Sequence, residues 1–232
     1  MNLIEKYCRA IVKSEQVDIF KFNARIIING SSFSGKTVLC RKILKKYFSS
    51  INTIAIINSP NSDEFKNDLD ISDKVKVYDE VPSISELEDI NDNNEHIVIV
   101  LDDNYSTSFN SEIVLSYFTR GRHKNLSVIL LCQNIFFGKG KYCRDITLQA
   151  THIIILKLRD ISQVQVIARQ IYGKGAAHKV LEVYKYIINK YKWSHLLIDV
   201  SQMSISDTEL RSNIVNDKAL YGHKFELCYK VK

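Results

Sequence analysis

Gly30-Ser31-Ser32-Phe33-Ser34-Gly35-Lys36-Thr37, GSSFSGKT, satisfies the pattern G-x-x-x-x-G-K-[ST] at every fixed position. An apolar run, Arg25–Asn29, precedes it and a helical stretch, 36–48, follows. That strand, loop and helix setting is what a phosphate cradle requires. Glycines let the backbone curl so that successive N–H groups face a β-phosphate, and the helix adds the positive end of its dipole. Residues 30–37 are therefore expected to hold a nucleotide such as ATP. Lys36 would reach the β- and γ-phosphates, and the Thr37 hydroxyl would coordinate Mg²⁺.

Downstream, the β-rich run His96–Leu101 ends in Asp102-Asp103. A carboxylate at a strand tip beside the loop is where Mg²⁺ needs an acid, which makes Asp102 the candidate; Asp103 is then placed to orient or deprotonate an attacking water. In isolation DDNYST would be an ordinary polar turn, and only the upstream loop gives it chemical meaning. Adjacent acids of this kind mark the P-loop NTPases that hydrolyse ATP with a carboxylate base. In that class an extra strand lies between the loop strand and the acidic strand.

The next run here is Ser127–Gln133, inside GRHKNLSVILLCQN (121–134). Its tip is expected between Lys36 and Asp102, where Gln133 can touch the γ-phosphate or the water. The alternatives are an amide that caps the following turn, or Asn134 turned inward instead. Arg120, Arg122, His123 and Lys124 precede the strand, at the end opposite its catalytic tip. They cannot easily reach their own nucleotide. Arg122, and secondarily Arg120, could serve a neighbouring subunit as an arginine finger, a device worth roughly 10³–10⁵ in rate. A solvated basic loop and a DNA-phosphate contact remain open beside that role.

Further β-rich runs lie at 53–58, 74–79, 151–158 and 195–200. Most are nearly continuous in apolar residues, which means burial on both faces, as in a mostly parallel sheet flanked by helices. The fold class is α/β. Ser83 and Glu86 form a capping box ahead of a helix at 84–90, and Asp160 with Gln163 offers another ahead of 161–172, which should stop at Gly173. A further amphipathic helix is predicted over 176–191. The chain reads as a single domain, 1–232, with a core over about 22–200 and a less regular tail at 201–232.

Composition narrows the function classes. With 8 glycines and 2 prolines in 232 residues there is little linker material. The longest apolar runs fall far short of the roughly 18 residues that span a bilayer, so no membrane is expected. The start, MNLIEKYCRAIVKSEQ, lacks the continuous apolar region of a signal peptide, so the protein is expected to stay in the compartment where it is made. Five scattered cysteines without a CxxC pair argue for reduced buried thiols rather than zinc or disulfides. A net charge of +6 permits a polyanionic partner without requiring one.

Taken together, GSSFSGKT, IVIVLDD, GRHKNLSVILLCQN and a late LLIDV followed by LRSNIVND resemble the viral genome-packaging ATPases of the FtsK-HerA superfamily, as found in poxviruses, virophages and polinton-like elements. The resemblance covers most of residues 22–217. It implies a RecA-like core of the extra-strand, catalytic-carboxylate (ASCE) class, working as a homo-oligomeric ring that uses ATP and Mg²⁺ to drive double-stranded DNA into a capsid. By position, Lys36 and Thr37 match the Walker A residues, Asp102 and Asp103 the Walker B pair, and Gln133 the glutamine motif. Many relatives have glutamate at 103, and aspartate is one methylene shorter, which bears on its reach to the water. Partners would be viral DNA and capsid proteins, at assembly sites in the host cytoplasm or nucleus, or in the virion. No second acidic cluster follows the core, which argues for packaging without a cutting step. A small-molecule kinase is the alternative, with Lys139, Lys141 and Arg144 as a candidate lid; no N-K-x-D run supports a GTPase.

Overall fold

The structure is a computed structural model that describes residues 19–20, 23–49, 53–60, 63, 65, 75–90, 95–102, 108–136, 140–201, 209–222 and 226–229. The chain divides into two compact units, and the strand that leads into GSSFSGKT passes from one to the other. One unit holds Asp18–Ile28 and Lys36–Thr151, the other Asn29–Gly35 and His152–Lys232.

The first unit is the parallel one. It contains β1 (Arg25–Asn29, all but its last residue), α1 (Lys36–Tyr47), β2 (Thr53–Asn58), β3 (Val75–Val77), α2 (Ile84–Ile90), β4 (His96–Leu101), α3 (Glu112–Arg120), β5 (Leu126–Cys132) and α4 (Cys143–Gln149). Its strands run in the order β3-β2-β4-β5-β1. β2 pairs in parallel with β3 and with β4, and β4 pairs in parallel with β5. Every residue of β4 and β5 is buried, the two-faced burial that their unbroken apolar runs imply. α1 turns Leu39, Cys40, Ile43 and Leu44 inward at helical spacing. The predicted capping box before α2 is formed: Ser83 N–H donates to Glu86 Oε2 (2.6 Å) and Glu86 N–H to Ser83 Oγ (3.2 Å). Those bonds hold the exposed Glu86 carboxyl below its ordinary range.

The second unit is antiparallel. β6 (His152–Ile155), β7 (Leu196–Asp199), β8 (Leu210–Ser212) and β9 (Leu227–Tyr229) pair successively, with α5 (Ser162–Lys190) between β6 and β7 and the short α6 (Lys218–Tyr221) between β8 and β9. Ile155 lies opposite Leu196, so the chain re-enters the sheet at the end it left. β7 thus runs antiparallel to β6, a direction its apolar run could not report, since such a run records burial alone. α5 breaks at Gly173, whose φ of 75° is left-handed, where the helix stop was expected. The second capping box is not made. Asp160 accepts from Ser162 N–H (2.9 Å), while Gln163 Oε1 accepts from the Asn29 amide (3.1 Å). The stretch read as a tail supplies β8, α6 and β9.

His96, at the start of β4, is 3% exposed and stacks on Phe48. Ser127 Oγ accepts from Ala24 N–H (3.0 Å) and shares a hydrogen bond with His96 Nε2 (2.9 Å). Burial pushes the His96 pKa down to about 4. The unfolded chain, with a His pKa near 6.5, takes up a proton between these values and the folded chain does not. Stability is therefore expected to fall as pH drops from 6.5 towards 4, by up to about 3 kcal/mol from this residue. Urea midpoints measured from pH 7 to 4 should show that loss, and a His96→Gln variant should show a flatter profile.

Candidate functional site

In the parallel unit the candidate residues gather at the C-terminal tips of the strands. Lys36 opens α1 and Thr37 follows in its first turn. Asp102, immediately after β4, is 4% exposed. The Thr37 hydroxyl donates to Asp102 Oδ2 at 3.0 Å, across 65 positions of sequence. Ser59 Oγ donates to the same oxygen at 3.4 Å. Register explains the second contact: Asn58 of β2 pairs with Leu101 of β4, and Asp102 N–H donates to Asn58 O (2.9 Å), so the next residue of each strand meets the other. Three hard oxygen donors at one point fit Mg²⁺, which prefers oxygen ligands.

β5 lies between β1 and β4, as the extra-strand class requires. Lys36 is close to its last residue: burial pushes the Cys132 thiol far up, and the Lys36 charge opposes that shift. Burial likewise raises Cys40 well above its ordinary value, with Asp102 adding to the effect. All four cysteines among the described residues are buried. Gln133 follows β5 directly and is exposed, and Asn134 accepts from Phe136 N–H (2.9 Å) in the next turn. Asp103 lies outside the described residues.

Arg120 and Arg122 are exposed at the opposite end of β5, in the last turn of α3 and the 3₁₀ turn Gly121–His123. Arg122 Nε donates to His123 Nε2 (3.0 Å). The same end carries Arg25, whose guanidinium donates to Phe118 O (3.3 Å). Burial, then the charge of Arg122, lowers the Arg25 pKa.

The loop itself belongs to the antiparallel unit through Gly35. Gly30 and Ser34 are buried, Ser31 and Gly35 half-buried, and Ser32 and Phe33 exposed. Ser31 ties the loop to the segment after β6: its N–H donates to Lys157 O (3.0 Å), and its Oγ accepts from Arg159 N–H (2.9 Å). Ser34 N–H closes a turn onto Ser31 O (3.1 Å). The buried Ser34 hydroxyl has no protein partner among the described residues, which suits a phosphate oxygen. Phe33 and Gly35 have φ values of 59° and 93°. Sequence reading missed Ser59 and the aromatic loop near Trp193. Only the serine directly after β2, NSP at 58–60, hinted at the first.

These features define a P-loop NTPase of the extra-strand class. The profile of the poxvirus A32 protein matches residues 12–223, and the chain belongs to that family, the viral packaging ATPases. Among solved structures, the genome packaging NTPase B204 of Sulfolobus turreted icosahedral virus 2 with ATP-gammaS is 17% identical, covering 83% of this chain and 97% of that one, with a TM-score of 0.51. Its complex with sulfate is 16% identical over 83% and 96%, with a TM-score of 0.53. The DNA-packaging ATPase B204 of Sulfolobus Turreted Icosahedral Virus is 15% identical over 83% and 98%, with a TM-score of 0.50. At these identities the likeness is one of fold. No curated protein sequence matches the chain.

Gly35→Ala should be costly for conformational reasons. An added Cβ would meet only ordinary contacts, 3.9 Å from Trp193 and 4.0 Å from Leu156, but the φ of 93° disfavours any side chain. A loss of about 1–2 kcal/mol in urea unfolding is expected, together with weaker nucleotide binding by calorimetry.

Proposed function

We propose that this chain is a Mg²⁺-dependent ATPase that translocates double-stranded viral DNA into a capsid. The observation that carries the reading is the 3.0 Å pairing of Thr37 with the buried Asp102. It joins a hydroxyl in the first turn after a complete phosphate loop to a carboxylate two strands away, the oxygen set that a magnesium nucleotide needs. Family membership supports packaging as the task, and the fold shared with structures solved with nucleotide supports ATP as the ligand.

Each residue then has a role. Backbone N–H groups of Gly30, Ser31, Ser32, Phe33, Ser34 and Gly35 cradle the phosphates, with Lys36 neutralising the β- and γ-oxygens. Thr37 and Asp102 hold Mg²⁺, which when bound draws charge off the phosphates. Asp103, next in the chain, orients or deprotonates the attacking water, and Gln133 at the β5 tip senses the γ-phosphate. Arg122, or Arg120, completes the site of a neighbouring copy in an FtsK-HerA-type ring. Their exposure, at the end of β5 opposite Asp102, is compatible with action on another subunit. The net charge of +6 favours a DNA partner. Work at virion assembly sites, alongside capsid proteins, follows from the packaging role.

The family match does not favour the kinase reading. Of its candidate lid, Lys141 pairs with Glu112 (3.7 Å) and lies over the Tyr142 ring, Arg144 is exposed, and Lys139 is outside the described residues.

ATPase activity is expected to rise when duplex DNA is added and to lose that stimulation steeply with salt, because phosphate contacts release counterions. Lys36→Ala should abolish turnover, and Asp102→Asn should remove most of it even at high Mg²⁺. Hydrolysis indifferent to DNA would refute translocation.

A further inference from the structure

The antiparallel unit contains a cavity of about 420 Å³ beside the phosphate loop. That lies within the roughly 300–1,000 Å³ of small-molecule sites. One wall is Ser31–Ser34, and the other is the turn between α5 and β7, with Tyr191 and Trp193; Lys157 and Lys192 also line it. An aromatic and cationic lining is suited to a flat, electron-rich ring attached to an anion.

Trp193 is held in a manner that packing alone does not explain. The indole is 59% exposed, yet its backbone is left-handed, with a φ of 56°. A bulky residue in that region costs roughly 1–3 kcal/mol and persists only where the surroundings impose it. Here they do. Ser194 Oγ donates to Ile187 O (3.0 Å) and Tyr191 O (2.7 Å), and His195 N–H donates to Tyr221 OH (3.2 Å). Tyr221 also packs on the Tyr191 ring, 4.8 Å between centroids. A rigid turn therefore presents an exposed aromatic ring. Its edge lies over the loop's last glycine, where an added Cβ at Gly35 would be 3.9 Å from Trp193 Cδ1. The Lys192 ammonium covers one face of the indole at 4.3 Å from the centroid. On the loop side, Phe33 is 99% exposed with a φ of 59°. Two strained, exposed aromatics thus border one cavity, next to a segment built to hold phosphates.

We infer that this cavity is the base subsite of the nucleotide, with a purine ring stacked on the free face of Trp193 and bordered by Phe33. The inference rests on the nucleotide-binding reading above and adds the part of the ligand that the loop motif leaves unassigned. Stacking recognises a π-face and not a pattern of hydrogen-bond groups, so the site favours purine over pyrimidine nucleotides through ring area.

Trp193 is the chain's single tryptophan, so its emission reports on the site directly. The full-length protein with Mg²⁺ is titrated with a non-hydrolysable ATP analogue and with inorganic tripolyphosphate, following fluorescence and calorimetry in parallel. The analogue should quench the emission, while tripolyphosphate should bind without quenching. Trp193→Ala should weaken the analogue by about tenfold or more and leave tripolyphosphate unchanged, and Trp193→Phe should recover most of the loss. CTP should bind more weakly than ATP to the parent protein and equally to Trp193→Ala. Equal affinity of parent and Trp193→Ala for the analogue overturns the subsite, including the case in which only sedimentation changes and the ring serves contacts between copies. Parallel loss of both ligands also overturns it, since the residue would then be supporting the loop. Failure of the parent to bind either ligand overturns this inference together with the nucleotide reading. Normal binding of both with no response of hydrolysis to DNA refutes translocation alone and leaves the subsite standing.

Discussion

A carboxylate that is 4% exposed must be met by donors or by a cation, because an isolated buried charge costs several kcal/mol. Asp102 is met by hydroxyls from α1 and from the segment after β2, and it stands itself at the end of β4. The residues are distant in sequence, Asp102 standing 65 positions from Thr37 and 43 from Ser59. They converge because parallel strands align their C-terminal tips, and because the register of β2 on β4 leaves Ser59 and Asp102 as the next residues out. The chemistry proposed for this point is thus inseparable from the sheet order. Any rearrangement that moved β4 or α1 would strand the charge, which ties the integrity of the site to the stability of the parallel unit.

Stability and chemistry are divided along each strand. The middles are apolar and buried on both faces, as β4 and β5 show, and they supply most of the hydrophobic driving force. The ends are polar. In the parallel unit one end holds Lys36, Thr37 and Asp102, and the other gathers Arg25, Arg120 and Arg122, with Arg25 lowered partly by Arg122. The antiparallel unit follows the same division. Its loops at the Ile155 and Leu196 end carry left-handed Phe33, Gly35 and Trp193, each anchored by hydrogen bonds from neighbouring residues that keep the strained backbone in place.

Much of this was readable from the chain. The strand runs at 25–30, 53–58, 74–79, 96–102, 127–133, 151–158 and 195–200 each overlap an observed strand, and the Ser83 and Glu86 cap and the Gly173 break stand where local rules put them. The readings that failed were those in which a local signal competed with a distant partner. Gln163 was free to cap its own helix on sequence grounds, yet Asn29, at the end of β1, takes its oxygen. β8 and β9 were passed over because three-residue strands carry too little apolar pattern to stand out from irregular chain.

By itself, then, the sequence determined most of the elements, the phosphate-loop motif and the acidic strand end, since each rests on a pattern only a few residues long whose physics is local. Tertiary structure decided what those patterns could not contain. It set β7 antiparallel to β6, because apolar runs record burial without orientation. It brought Ser59 to Asp102 and Trp193 to Gly35, because strand register and the course of a returning chain act over distances that no local motif encodes.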